Sequence, residues 1–273
     1  MFAAAALVGG VLGPGSGVGP GLGVGVGVGF GVGVGEAPIP GYELVWHDEF
    51  EGEELDATKW KPWALGPRRD AVNVADAATL DGEGCLVIST RRAERGGETV
   101  YESGGVWTEG LYEPTFGYLE ARIRLQTQIG HWSAFWLNCS PMGEPVGDPH
   151  AGGVETDIME FHRRMRDGTA VQHNLHWDGY GDAHKSRGRE VSVQGLAEGF
   201  HTFGVLWTAE EYVFFVDGVE TLRVREAEGG AISRRAEYLI LSLEVGDWAG
   251  DIAGADLPDG MVVDWVRVWE KRE

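Results

Sequence analysis

Basic residues are scarce in this chain of 273 residues: 22 Lys and Arg stand against 43 Asp and Glu, a formal charge of −21. A surface that acidic repels phosphate backbones and anionic lipid headgroups, so neither nucleic acid nor membrane insertion is expected. Cysteine is nearly missing, with only Cys85 and Cys139 present, each in an apolar strand-like stretch and without metal-ligand spacing. We read both as buried free thiols that pack as small hydrophobes, with a bridge between them as the alternative. No phosphate-cradling glycine loop and no Cys/His zinc pattern occurs. A sustained helical period is lacking too, and one short turn around Ala209-Glu210-Glu211 is the nearest approach.

Charge is also missing from the first 35 residues, which are dominated by Gly, Val and Ala. Such a segment has few side chains with which to form a core and loses much entropy on ordering. We therefore expect residues 1–38 to be a low-complexity leader. Ala3 to Leu12 could serve as the apolar part of an export signal, although no Lys or Arg follows Met1. The folded domain is expected over residues 39–273, beginning near Pro38-Ile39-Pro40-Gly41.

From about Val45 the chain reads as short alternating strands separated by Gly, Asp and Pro clusters, the pattern of an all-β sandwich or barrel. Within it, Glu155-Thr156-Asp157-Ile158-Met159-Glu160 sets three carboxylates in an apolar run. Strand side chains alternate faces, so Glu155 and Asp157 share a face while Glu160 should point to the other. One extra residue near Ile158-Met159, inserted as a β-bulge, would return Glu160 to the first face. Two carboxylates held in different protonation states are the machinery of glycoside hydrolysis. In that reading Glu155 is the nucleophile, Glu160 the acid and later base, and Asp157 the group that keeps their charge states apart. A solvated acidic face is the competing reading, and the apolar neighbours Val154, Ile158, Met159 and Phe161 weigh against it without excluding it.

Further blocks extend the pattern. They are Leu44-Val45-Trp46-His47-Asp48-Glu49-Phe50 with Leu55 to Trp60, Gly117-Tyr118-Leu119-Glu120-Ala121-Arg122-Ile123, and Trp132-Ser133-Ala134-Phe135-Trp136-Leu137. Phe200-His201 through Trp207, Val216-Asp217-Gly218 and Val263-Asp264-Trp265-Val266-Arg267-Val268 follow. Around an intact E-x-D-x-x-E, these blocks make the chain resemble glycoside hydrolase family 16 from Tyr42 to Trp269, with Thr156 where the family has an aliphatic residue. The bulged motif resembles the laminarinase, agarase and carrageenase branches.

The resemblance implies a jelly-roll β-sandwich of two curved antiparallel sheets with a concave sugar cleft. It implies a retaining, endo-acting hydrolase of a β-linked polysaccharide, with β-1,3-glucan first. A galactan of the agar, carrageenan or porphyran type is the alternative, and a non-catalytic glycan-binding protein comes from another class. A secreted or otherwise extracytoplasmic monomer is expected. No cofactor is required for catalysis, but a structural calcium is implied, with Asp264 and Glu49 at matching positions.

Alternation places further residues. Of the eleven Trp, Trp132 and Trp136 should face the cleft as stacking platforms while Ser133, Phe135 and Leu137 face the core. Along Val171 to Trp177, Gln172, Asn174 and His176 should face the cleft. Ser242 and Glu244 fall on one side of Tyr238 to Val245. Asp247-Trp248-Ala249-Gly250 stands where laminarinases carry a Trp-Pro-Gly turn, which leaves the sugar open; Trp248 is expected to bind substrate. Finally, Phe161 to Arg189 holds six basic residues against three acidic ones. They would suit anionic sugar groups or would equally form solvated loops.

Overall fold

Alternating apolar side chains build two stacked sheets in the computed structural model, which describes residues 37–272. The leader, residues 1–38, lies almost wholly outside the described residues. One sheet runs Glu98–Trp107, Tyr238–Val245, His131–Asn138, Glu155–Phe161, Ala170–Trp177 and Lys185–Ser192, each strand antiparallel to the next. The other runs Tyr42–Asp48, Asp259–Lys271, Gly117–Arg124, His201–Trp207, Glu211–Val216 and Val219–Arg225, also antiparallel throughout. The strand Leu86–Arg95 links the two. Its first half pairs with Asp259–Lys271 and its second half with Glu98–Trp107. This is the expected jelly roll.

The period of two explains the core. Phe135 and Leu137, then Val171 and Leu175, then Leu239, Leu241 and Leu243 point inward from the first sheet. They meet Leu119, Ala121, Ile123, Phe203, Val205, Val266 and Val268 from the second. Removing a fully buried ring such as Phe135 from this layer costs about 3–5 kcal/mol, through lost transfer energy and the cavity left behind. Every second residue of the first sheet points the other way, which is how Trp132, Trp136 and Glu244 come to share a face.

Two expectations need correction. Ala209 and Glu210 form a bend, and Glu211 already begins a strand. The described α-helical turn is instead Pro149–Gly152, where Asp148 accepts a hydrogen bond from the Ala151 N–H at 3.2 Å and Pro sits in the first turn. A capping side chain and a proline can start so short a turn without any periodic pattern. Both cysteines are free, but only Cys139 is buried, and Cys85 is partly exposed. Burial pushes the Cys139 thiol up to about 12. Gly153, at φ 81°, must be glycine, because a Cβ there would fall 2.1 Å from Cys139 Sγ.

Candidate active site

The strand Glu155–Phe161 carries the bulge that the spacing of its carboxylates requires. Against Ala170–Trp177, Asp157 pairs with Asn174 and Glu160 with Gln172, so three steps on one strand match two on the other. Against His131–Asn138, the step from Asp157 to Met159 matches the single step from Trp136 to Phe135. Ile158 and Met159 are both fully buried on the core side. The extra residue reverses the alternation once, and Glu155, Asp157 and Glu160 all line one cleft of about 730 Å³.

Their surroundings differ. Glu155 receives hydrogen bonds at Oε2 from Asn138 Nδ2 at 2.8 Å and from the Tyr180 hydroxyl. Burial raises its carboxyl, while the Tyr180 hydrogen bond and the nearby His176 and Arg68 pull it back. Glu160 is half-buried at the cleft wall, with no side-chain hydrogen bond among the described residues. Burial pushes it well above the usual carboxylate range, and repulsion from Asp157, Glu155 and Glu244 adds to this. Asp157 is likewise pushed well up, by burial and then by Glu155. Of the two glutamates, Glu155 is the one with donors to hold a negative charge, and Glu160 the one kept protonated.

The other expected residues divide. Trp132, Trp136, Glu244 and Trp248 line the cleft. Trp136 donates from Nε1 to Ser242 Oγ at 3.1 Å and meets Trp63 edge to face at 5.8 Å. Trp248 packs edge-on against Trp132 at 5.4 Å and remains 43% exposed. Gln172, Asn174 and His176 do not line the cleft. Asn174 is buried and donates to His176 Nε2 at 2.7 Å, and that same nitrogen lies 3.3 Å from Asp157 Oδ2. Asn174 and His176 thus reach the carboxylates through Asp157. His176 in turn contacts His184 at 2.8 Å. Burial holds the His176 imidazole below its ordinary range.

Several cleft residues escaped the sequence reading. Asn138 continues the alternation Trp132, Ala134, Trp136, and one more step along that strand would have found it. Tyr238 shares the face of Ser242 and Glu244 in the same way. Arg68 and Arg69 follow Gly66-Pro67, and both guanidinium groups close on Glu244, Arg69 Nε at 2.6 Å and Arg68 Nη2 at 3.1 Å. They also lie over Trp63 at 4.3 Å and Trp132 at 5.0 Å. Two adjacent cations after a turn, in so acidic a chain, were the available signal. Tyr180 and Trp107 carried none.

The basic segment is turned to other uses. Arg166 pairs with Glu190, Lys185 with Asp178 at 2.7 Å, and Arg189 and Arg187 reach backbone carbonyls. The cleft's cations come from Arg68 and Arg69 instead. The residues expected at a calcium do not fit one. Both oxygens of Glu49 are held by Arg267, at 2.9 and 2.8 Å, and Asp264 is paired with Arg122. A divalent ion needs a cage of free oxygens, and a guanidinium already supplies the positive charge at each carboxylate.

Comparison with known proteins agrees with this geometry. The family model described as glycosyl hydrolases family 16 matches residues 70–267. The chain is similar to a keratan-sulfate endo-1,4-beta-galactosidase of Sphingobacterium multivorum, 27% identical over 238 residues, covering 84% of this chain but only 55% of that protein. A beta-glucanase of Rhodothermus marinus is 29% identical over 252 residues, covering 84% of this chain and 86% of its own. Among solved structures, the endo-beta-1,3-glucanase from Pyrococcus furiosus superposes with a TM-score of 0.67 at 31% identity, over 85% of this chain and 95% of that one.

Proposed function

The chain belongs to glycosyl hydrolases family 16, and from that premise we propose that it is an endo-acting, retaining hydrolase of a β-linked polysaccharide. The observation that carries the reading is the bulge, which delivers Glu155 and Glu160 in unlike environments to one face of a tryptophan-lined cleft. Glu155, steadied by Asn138 and Tyr180, attacks the anomeric carbon while Glu160 gives its proton to the departing glycosidic oxygen. The C–O bond breaks and a glycosyl ester forms on Glu155. Glu160, now a carboxylate, takes a proton from water, and that water's oxygen displaces Glu155. Two inversions give retention, one water is consumed and both carboxyls return to their starting states. Asp157 lies between the two, its environment favouring the neutral acid, so that a charge on Glu155 is not opposed by a second charge beside it.

The preferred substrate is β-1,3-glucan, supported by the glucanase relatives in Rhodothermus marinus and Pyrococcus furiosus. A second reading, a galactan bearing sulfate or carboxylate groups, is favoured by Arg68 and Arg69 in the cleft and by the keratan-sulfate relative. Polymers of this kind are met outside the cytoplasm, where this reading places the protein. Among the described residues no helix is long and apolar enough to cross a membrane. Incubation with laminarin, mixed-linkage glucan, agarose, porphyran and keratan sulfate, with measurement of new reducing ends, tests the whole reading. Fastest release from laminarin supports it, faster release from a sulfated polymer selects the galactan, and no release from any polymer overturns a hydrolase.

A further inference from the structure

Behind the cleft, on the core side of the same strand, lies a second acid that the mechanism does not use. Glu237 is fully buried. Its Oε1 accepts the backbone N–H of Val154 at 3.2 Å, and its Oε2 has no partner among the described residues. Val154 is the residue from which the chain enters Glu155–Phe161, and it precedes the ladder, so its N–H needs a partner from elsewhere. Glu237 supplies it.

The surroundings of that carboxyl are hydroxyls, not cations. The Ser233 N–H donates to the Tyr212 hydroxyl at 3.3 Å, and the Ser233 hydroxyl accepts the Arg235 N–H at 3.2 Å. Thr156 lies on the other side of Glu155, and its hydroxyl donates back to the Val154 carbonyl at 3.4 Å. Glu237 therefore holds the strand at Val154, the residue to which Thr156 also bonds.

We propose that Glu237 is a positioning residue: from a fully buried site it anchors Val154, the residue before Glu155, and so aims the attacking carboxylate. No ion pair to Glu237 exists among the described residues, and an ionised carboxyl in such a place would go uncompensated. Burial raises it to about 8, opposed by Ser233, the Val154 N–H and the more distant Arg235, and reinforced by Glu155. The other titratable groups packed against it, Tyr212 and Cys139, are themselves pushed up by burial and stay neutral. Opened states that expose Glu237 ionise it from about pH 4.3 upward, so the anchored fold loses protection as pH rises toward about 8, the native value.

The consequence for rate rests on the hydrolase reading, but the consequence for the backbone does not. The test is amide hydrogen exchange of the peptide beginning at Val154, corrected for intrinsic rates, in the full chain at pH 6 and pH 9, beside kcat and KM. Glu237→Leu removes the acceptor; exchange at Val154 and loss of kcat should each be about tenfold, the size of one hydrogen bond, with KM nearly unchanged. Glu237→Gln keeps a neutral acceptor, so its protection should hold from pH 6 to pH 9 while that of the parent falls. Where the leucine variant does not fold, the glutamine comparison still decides. Equal protection of parent and Glu237→Gln at pH 9 overturns the proposal, as does unaltered Val154 exchange in a folded leucine variant. Absence of any reducing-end release by the parent overturns the hydrolase reading alone and leaves the exchange result standing.

Discussion

On the sheet away from the cleft, carboxylates meet guanidinium groups; on the strand Glu155–Phe161, they meet one another. Burial works against the charge on Glu49, yet its two hydrogen bonds to Arg267 overcome that and hold it below the usual range. Arg223 does the same for Glu220 and also binds Glu211 at 2.6 Å. Glu155, Asp157 and Glu160 are raised instead, all three with burial as the leading cause. The contrast separates charge that settles a surface from charge kept in tension for chemistry. Even Arg68 and Arg69, the cations nearest the cleft carboxylates, are tied to Glu244.

The sharpest way to break that comparison is Glu155→Gln. With the attacking oxygen replaced by an amide of similar volume, turnover should fall by about four powers of ten or more while the unfolding curve is preserved. Near-parental release of reducing ends by a folded variant would remove Glu155 from its role.

Glu160→Gln comes next, with a fall in kcat of about 10²–10⁴ and loss of the alkaline limb of the rate profile. Its stability should move the other way. Native Glu160 keeps its proton well above the ordinary range, whereas the unfolded chain releases it near about pH 4.3. The parent therefore loses stability as pH rises from there toward the native value, and the glutamine variant does not. Melting temperatures across rising pH should show the variant gaining on the parent until the native Glu160 value is reached and keeping that gap beyond it. A gap that narrows with rising pH would mean that Glu160 is ionised in the fold.

Smaller effects test the walls of the cleft and the outer surface. Trp136→Ala should weaken oligosaccharide binding by roughly tenfold, the worth of one aromatic platform, as read by titration calorimetry. A large drop in melting temperature with unchanged affinity would assign that ring to structure. Smallest of all, Arg223→Ala should cost less than about 1 kcal/mol of stability in denaturant titration, because partly exposed pairs are screened. It should also leave kcat/KM within about twofold on the same scale of reasoning.

What could be read from the chain follows from what is local. The face of each residue in a strand depends on its near neighbours alone, so the alternation of Trp132 with Ser133 separated cleft from core before any fold was known. The odd spacing between Asp157 and Glu160, once a shared site was supposed, required one extra residue, and the bulge lies there. Alternation also misled where it was taken as sufficient. Gln172, Asn174 and His176 face the correct side of their strand but do not line the cleft.

Only the tertiary structure decided which distant segments meet. Arg68 and Glu244 are 176 residues apart in sequence, and nothing near either one names the other. Tyr180 reaches Glu155 from a loop whose glycine-rich sequence is compatible with many paths. Glu49 and Asp264 matched a calcium position in sequence, yet Arg267 and Arg122, brought in by neighbouring strands, already neutralise them. Sequence by itself determined the strands, their faces and the carboxylates of the cleft, because a period of two and a bulge are properties of consecutive residues. Which charges would be paired and which left facing one another was settled by long-range packing, because Coulomb interactions depend on distance in space and not along the chain.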